Sequence, residues 1–289
     1  MDRAELVEET VVRLMRTAVT TLPEDVIAGL HKALQLETEE VARVQLRTIL
    51  DNVERAESKG LPMCQDTGVP IFFVSGDCSH EVEEGIMNGV ARATKEIPLR
   101  PNVVDPLTRH NTGSNVGAGM PNVHYEPAKG DFVEITFMPK GAGSENMSVL
   151  RMLNPTSGTK GIKGAVIDAV VSAGGRPCPP SIVGVGIGGT ADSAMLLAKK
   201  AIMRPLGKSN DEPDAAKLEE ELTEMLNSTG IGPMGLGGRT TTLGVMIEKA
   251  DCHTASLPVA VNIQCWAARR ASARIYPDDR VRFRTEGFQ

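Results

Sequence analysis

Three of the five cysteines stand in turn-rich surroundings: Cys64 in PMCQDTG, Cys178 in GGRPCPP and Cys265 in NIQCWAARR. Each lies where a turn containing glycine or proline meets a predicted strand or helix. Such a position fixes the direction of a sulfur and leaves backbone N–H groups near it, which suits an iron–sulfur cluster. Three ligands instead of four would leave one coordination site open for catalysis. Spacing alone also allows three unrelated, inert cysteines.

The other two cysteines are Cys78 and Cys252. An odd number of cysteines makes a disulfide framework improbable, and no C-x₂-C pair indicates a zinc ribbon or a thioredoxin-type site.

Several polar residues could act beside such a metal centre. Gln65 and Asp66 directly follow Cys64 and would lie close to any metal that its sulfur binds. The long Pro/Asn/Gly-rich segment 99–119 contains Arg100 and Arg109, and a guanidinium binds a carboxylate through two parallel hydrogen bonds. Both arginines could equally be solvated loop residues. His253 is of interest because it precedes a predicted strand that ends at Cys265, although a single histidine is more often structural.

The sequence GVGIGG (184–189) matches the G-x-G-x-x-G pattern of dinucleotide sites, after a strand and before a helix. Such a site also needs an acidic residue about 20 positions later, at the end of a second strand. That region reads KKAIMRPLGKSND, which indicates a helix end and a loop. We therefore interpret the glycines mainly as a tight strand–turn–helix packing device.

The elements that must position these residues follow from hydrophobic spacing. Residues 3–59 have helical periodicity in three segments, and helices alternate with short strands from residue 70 onward. KGAGSEN (140–146) is expected to be a turn-rich loop, and residues 267–275 a last short helix. Its basic residues are expected to form a solvated face, or equally a surface that docks a partner protein. The prediction is one α/β domain over residues 1–289, a layered mixed sheet with an N-terminal helical cap over about residues 1–60.

Composition excludes several classes of protein. A net charge of −6 gives no broad basic field for nucleic acid, and no apolar run is long enough to span a bilayer. The acidic start MDRAELVEE argues against a signal or transit peptide, so we expect a cytoplasmic protein.

Six motifs, in order along almost the whole chain, resemble the α subunit of two-subunit class I fumarate hydratases, and the tartrate dehydratase α subunits look similar. They are CQDTG (64–68), LR (99–100) with NTG (111–113), KGAGSEN (140–146), CPP (178–180) with GVGIGGT (184–190), GIGPMGLGG (230–238) and QCWAARRA (264–271).

This resemblance implies a [4Fe–4S] cluster held by Cys64, Cys178 and Cys265, with one iron free of protein ligands. Cys78 and Cys252 match no ligand position and are interpreted as structural. It also implies substrate-binding or catalytic roles for the residues Gln65, Asp66, Arg100, Gly143 and His253. Arg109 is the reserve candidate for binding a carboxylate.

The implied reaction is the reversible hydration of fumarate to L-malate, in which an open iron serves as Lewis acid. The resemblance further implies a β subunit that supplies the rest of the active site, in an α2β2 assembly. A tartrate dehydratase α subunit is the alternative. The alternatives from other functional classes are a nucleotide-binding oxidoreductase and a non-catalytic iron–sulfur subunit.

Overall fold

The computed structural model describes residues 2–285, and the chain divides into two compact units. The first, here called the five-stranded unit, comprises the described parts of residues 1–24, 52–142 and 269–289. The second, the four-stranded unit, comprises residues 25–51 and 143–268. No helix within residues 2–285 is long and apolar enough to cross a bilayer.

The five-stranded unit is a mixed sheet with the strand order β2-β1-β3-β8-β9. Only β1 and β2 run parallel; the other neighbours are antiparallel. The strands are β1 (Val69–Gly76), β2 (Asn122–Glu126), β3 (Val133–Lys140), β8 (Ala271–Ile275) and β9 (Val281–Arg284). The unit also contains two whole helices, α1 (Arg3–Thr20) and α4 (His80–Glu96).

Helices α1 and α4 bury their apolar stripes together with the sheet in one hydrophobic core. Two glycines of α4 allow α1 to approach closely, because a Cβ on Gly85 or Gly89 would lie 2.6–2.7 Å from atoms of Val7 or Val11. The first helix is therefore part of the core of this unit, which explains the strict helical spacing of its apolar residues.

The four-stranded unit has the strand order β4-β7-β5-β6, in which β5 and β6 are parallel and the other pairs antiparallel. The strands are β4 (Val149–Leu153), β5 (Ser181–Gly189), β6 (Thr242–Cys252) and β7 (Leu257–Gln264). The helices are α2 (Glu24–Leu36), α5 (Ala142–Glu145), α6 (Gly158–Ala173), α7 (Ala191–Ala201) and α8 (Pro213–Asn227); α3 (Glu40–Lys59) runs across the boundary between the units.

The glycines of the GVGIGG segment serve helix packing. A Cβ on Gly184 would lie 2.2 Å from the carbonyl oxygen of Ala198, and one on Gly186 would lie 2.0 Å from that of Ala194. Helix α7 can therefore rest directly on β5. Within the described residues no strand follows α7 before β6, so the second strand that a dinucleotide site requires is absent.

The α/β class with mixed sheets and N-terminal helices is confirmed. The structure differs from the expectation at two places. KGAGSEN contains the short helix α5, and residues 271–275 form strand β8 where we expected a helix. The alternation of apolar Ala271, Ala273 and Ile275 with polar residues is a strand pattern, and pairing with β3 overrides the helical propensity of alanine.

Candidate active site

The Cys64 segment is held at the end of the five-stranded unit by main-chain hydrogen bonds. Met63 N–H donates to the carbonyl oxygen of Val19 at 3.0 Å, and the side-chain amide of Asn52 donates to the carbonyl oxygen of Met63 at 2.8 Å. Cys64 itself is half-buried and Gln65 is exposed. The thiol therefore stands on a fixed backbone at a position that a ligand can reach.

Asp66 is fixed at both its side chain and its main chain. Its carboxylate accepts the N–H of Gly68 at 3.0 Å through Oδ1 and the N–H of Ala142 at 2.8 Å through Oδ2. Its carbonyl oxygen accepts Nη2 of Arg269 at 3.0 Å. Gly141 leaves room for this arrangement, because a Cβ there would lie 3.3 Å from Oδ2 of Asp66. A carboxylate held in this way keeps lone pairs for a further donor.

Three buried cations lie at this end of the five-stranded sheet. Lys140, the last residue of β3, is 1% exposed, and Arg269 and Arg270, directly before β8, are 1% and 2% exposed. Our expectation that the basic run has a solvated helix face is therefore wrong. Arg269 and Arg270 directly precede the internal strand β8, and their side chains are buried there.

The segment that contains Arg100 is hydrogen-bonded to the Cys64 segment. The N–H of Arg100 donates to the hydroxyl of Thr67 at 3.0 Å, and the side chain of Asn102 donates to the carbonyl oxygen of Gly68 at 3.1 Å. Asn115 is buried and ties the loop together: it accepts from Asn102 N–H and donates to the carbonyl oxygen of Arg100. The main chain of Arg100 is thus fixed, while its side chain is exposed.

Arg109 lies at the tip of a separate turn in the same loop. Its backbone has a positive φ of 61°, and its N–H donates to the carbonyl oxygen of Asp105 at 3.0 Å. Asp105 N–H in turn donates to the carbonyl oxygen of His110 at 2.8 Å, which closes the turn. Of the two arginines, only Arg100 has a main chain bonded directly to the Cys64 segment.

Cys178 and Cys265 lie together at one end of the four-stranded sheet. Cys178 lies three residues before the start of β5 and has a left-handed backbone with φ of 54°; Cys265 directly follows β7. Ile182 of β5 pairs with Gln264 of β7, and Trp266 N–H donates to the carbonyl oxygen of Cys178 at 3.1 Å. Both cysteines are half-buried.

The glycine loop 230–238 supports Cys178 from another side. Met234 N–H donates to the carbonyl oxygen of Pro179 at 2.7 Å. The loop is held by Glu37, whose buried carboxylate accepts the N–H groups of Thr38, Glu39 and Arg239. Burial alone would raise the pKa of Glu37, but backbone N–H groups of Glu39, Arg239, Thr38 and Thr240 outweigh it and hold the pKa below the ordinary value.

Gly143 lies in the exposed first half of helix α5. A Cβ at this position would lie 3.2 Å from the carbonyl oxygen of Arg176, so glycine permits a close approach to the segment before Cys178. Helix α5 ends at Glu145, which pairs with Lys199 and accepts the side-chain amide of Asn262 at 3.0 Å. These contacts fix the backbone of Gly143 within the four-stranded unit.

His253 lies at the opposite end of the four-stranded sheet from Cys178 and Cys265. It follows β6, where Cys252 pairs with Gly189, the last residue of β5. The two ends of this nine-residue strand are roughly 25 Å apart. Within one copy of this unit, His253 and the two cysteines therefore do not meet.

His253 lines a cavity of about 530 Å³ together with Thr190, Ser193, Asp251 and Ser256. Its Nδ1 accepts the N–H of Ala255 at 3.0 Å, which leaves Nε2 for proton exchange with a ligand. Thr190 donates a hydrogen bond to the carboxylate of Asp192 at the start of α7, and this bond is the main cause of the lowered pKa of Asp192. That negative charge opposes phosphate binding there.

The three-cysteine set remains a prediction. Cys64 belongs to the five-stranded unit, and the other two belong to the four-stranded unit. Within residues 2–285 no group of three or more His, Cys, Asp or Glu side chains is arranged to hold a metal ion. The donor chemistry nevertheless fits a cluster, since all three thiols are half-buried and outside any disulfide.

Sequence reasoning identified Cys64, Asp66 and Arg100 but missed Arg269 as a partner of Asp66. The signal in the sequence that could have revealed Arg269 is the alternation of apolar and polar residues after Arg270, which indicates a strand that enters the core. Thr67 lies in the CQDTG motif and Asn115 in the segment 99–119, but neither residue had an assigned role. Only their hydrogen bonds reveal it.

Comparison with known proteins identifies the family. A family model described as fumarate hydratase (Fumerase) matches residues 8–274. A protein of Methanocaldococcus jannaschii with the provisional name L(+)-tartrate dehydratase subunit alpha is 50% identical over 284 residues, which cover 95% of this chain and 99% of that protein. The L(+)-tartrate dehydratase subunit alpha of Escherichia coli K12 is 36% identical over 264 residues, 90% of this chain and 87% of that protein. The resemblance noted in the sequence is confirmed: the chain belongs to the Fumerase family of hydro-lyases.

Proposed function

We propose that this chain is the α subunit of a hydro-lyase that removes water from a hydroxylated four-carbon dicarboxylate, with L(+)-tartrate as the preferred substrate. One observation carries the proposal. Cys64, the fixed carboxylate of Asp66 and Arg100 stand on two segments joined by the bonds Thr67–Arg100 and Gly68–Asn102. In this proposal Cys64 is a metal ligand, Asp66 a proton-accepting group and Arg100 a carboxylate-binding group, all carried by one rigid pair of loops.

The choice of tartrate rests on the relatives, two of which are named L(+)-tartrate dehydratase subunits. Fumarate hydration, our first expectation, is the second candidate because the matching family model is described as fumarate hydratase. Both reactions need the same groups: a Lewis acid for the hydroxyl, a base for the C–H proton and cations for two carboxylates.

We assign the metal centre to a [4Fe–4S] cluster bound by Cys64, Cys178 and Cys265. When bound, such a cluster supplies a Lewis-acidic iron that makes hydroxide a better leaving group. The protein's own residues do the remaining work. Arg100 binds one substrate carboxylate, Gln65 orients the substrate, and the N–H groups near Gly143 approach it without a side chain in between. Asp66 accepts or donates the proton.

Two further components complete the proposed site. A β subunit supplies cationic groups for the second carboxylate, because a dicarboxylate needs a second cationic group. His253 comes from a second copy of this chain, since its own Cys178 and Cys265 lie at the far end of the sheet. An α2β2 assembly satisfies both requirements.

The test is anaerobic purification of this chain with its β subunit, followed by iron, sulfide and visible-absorption analysis. Rates are then measured with both enantiomers of tartrate, with meso-tartrate, with L-malate and with fumarate. We expect kcat/KM for L(+)-tartrate to exceed that for L-malate by roughly tenfold or more, because a site that hydrogen-bonds the extra hydroxyl discriminates against its absence. A preference for L-malate and fumarate would establish fumarate hydratase instead. Full activity in a preparation without iron would contradict the assignment of an iron–sulfur cluster.

A further inference from the structure

We infer that Arg269 is a positioning residue. Its buried side chain fixes the orientation of Asp66 and places a positive charge close to it. Its placement within the five-stranded unit does not depend on the proposed function. Its effect on turnover rests on that function.

The placement of Arg269 follows from the sheet register. Ala271 of β8 pairs with Phe137 of β3, and β3 ends at Lys140, which pairs with Val69 of β1. Arg269 precedes Ala271 by two residues and so lies beside the end of β3, next to the segment that leads from Asp66 into β1. Gly68 allows the close packing here, since a Cβ on it would lie 2.7 Å from the carbonyl carbon of Pro139.

Arg269 is almost completely buried but makes too few hydrogen bonds for its burial to be explained by stability alone. The residue is 1% exposed, and its Nη2 donates to the carbonyl oxygen of Asp66 at 3.0 Å. Its Nε and Nη1 are buried and have no hydrogen-bond partner among the described residues. A buried guanidinium with unpaired donors costs free energy. An apolar side chain of similar length would avoid this cost.

The unfavourable free energy of burying this guanidinium is explained if its positive charge stabilises an anion bound nearby. The unpaired donors are too deeply buried to touch a substrate, so Arg269 acts through Asp66 and through its electric field. Its hydrogen bond fixes the peptide plane after Asp66, while the N–H groups of Gly68 and Ala142 fix the carboxylate. Asp66 is thereby held in one orientation before any ligand binds, which reduces the reorganisation required for reaction.

The first experiment measures hydrogen–deuterium exchange of the full-length chain. The variants are Arg269→Met, which keeps the length and removes the charge, and Arg269→Lys, which keeps the charge. Arg274→Met is the matched control, because Arg274 lies on β8, the strand that Arg269 leads into, and pairs with Glu134 away from Asp66. We expect Arg269→Met to speed exchange over residues 61–68 by about tenfold, with other regions unchanged. Arg269→Lys should be intermediate, and Arg274→Met should leave residues 61–68 unchanged.

The second experiment uses the holoenzyme with its β subunit and whichever diacid the wild type turns over fastest. We expect Arg269→Met to lower kcat by roughly 100-fold while KM changes by less than about threefold, because the catalytic group is misplaced although the substrate contacts remain. Unchanged exchange over residues 61–68 in Arg269→Met would overturn the positioning role, whatever reaction the enzyme catalyses. Faster exchange over residues 61–68 in Arg269→Met, together with an unchanged kcat, would show that the positioning of Asp66 by Arg269 does not affect turnover. A wild-type holoenzyme that turns over none of the diacids would contradict the proposed function, and the exchange result would still decide the placement.

Discussion

Trp266 donates its main-chain N–H to the carbonyl oxygen of Cys178 at 3.1 Å. Because Cys265 directly precedes Trp266, this bond brings two cysteines that are 87 positions apart in the sequence to the same end of one sheet. Neither cysteine lies within a regular element. Cys265 is the first residue after β7 and Cys178 the third residue before β5, so the rigid sheet sets the position of both sulfurs.

The first prediction concerns the cluster ligands. Replacement of Cys64, Cys178 or Cys265 by serine should each abolish most of the bound iron and the visible absorption of an anaerobic preparation, because a hydroxyl is a poor substitute for a thiolate. Cys78→Ser and Cys252→Ser are the controls, since both thiols are exposed and lie outside the proposed set. Iron content equal to the wild type in Cys178→Ser would show that the assignment is wrong.

Much of this arrangement could be predicted from the sequence, because the relevant signals are local. The strand–turn character around Cys64 and Cys178, the helical start and the irregular 99–119 loop each follow from spacing and from glycine or proline content. These local signals correctly place Cys64, Cys178 and Arg100 on turns and loops.

The remaining features depend on pairing between distant segments, which a single sequence does not reveal. Arg269 and Arg270 are expected on a surface helix when viewed locally, yet β8 pairs with β3 more than 130 positions earlier. The separation of His253 from Cys265 has the same origin. The two are twelve positions apart in the sequence, but β7 runs the length of the sheet between them.

The second prediction distinguishes Arg100 from Arg109 as the group that binds a substrate carboxylate. Arg100→Ala should cost about 2–5 kcal/mol of transition-state stabilisation, which is a loss of roughly 30-fold to several thousandfold in kcat/KM. Arg109→Ala is the matched control from the same loop and should change kcat/KM by less than about threefold. The reverse result would show that the turn at Asp105–His110 is the part of the loop that meets the substrate.

The third prediction concerns Glu37, the buried carboxylate that holds the glycine loop behind Cys178. Its pKa is lowered below the ordinary value of 4.5, so the folded state favours the ionised form. The resulting stabilisation is present at pH values above about 4.5 and disappears as the pH falls through the lowered value. Glu37→Gln should reduce the free energy of unfolding by about 1–3 kcal/mol at neutral pH, and the difference from the wild type should shrink in acid.

Chemical denaturation of the metal-free chain at several pH values measures this effect. Glu39→Gln serves as the control, because the Glu39 side chain is exposed and only its backbone N–H contacts Glu37. A difference between wild type and Glu37→Gln that stayed constant from neutral pH to pH values below the lowered pKa would contradict the ionised role of Glu37.

The fourth prediction tests whether His253 acts across two copies of the chain. His253 and the pair Cys178 and Cys265 lie at opposite ends of β5 and β7, so a histidine that joins these cysteines in one site must come from another copy. His253→Ala and Cys265→Ser should each be inactive when purified with the β subunit. A mixed dimer of the two variants contains one site with both native residues.

Dissociation and reassembly of the two inactive variants together should therefore restore activity. Random pairing of equal amounts gives mixed dimers in about half of the molecules, with one intact site of two, and hence about a quarter of the wild-type rate. Cys178→Ser mixed with Cys265→Ser is the matched control. Those two residues lie together in one copy, and no mixed dimer then gains an intact site. If the His253→Ala and Cys265→Ser mixture stayed as inactive as its parents while wild-type chains regained their rate after the same treatment, His253 would have no role across the dimer. In that case Asp66, on the Cys64 segment, would transfer the proton without a histidine from a second copy.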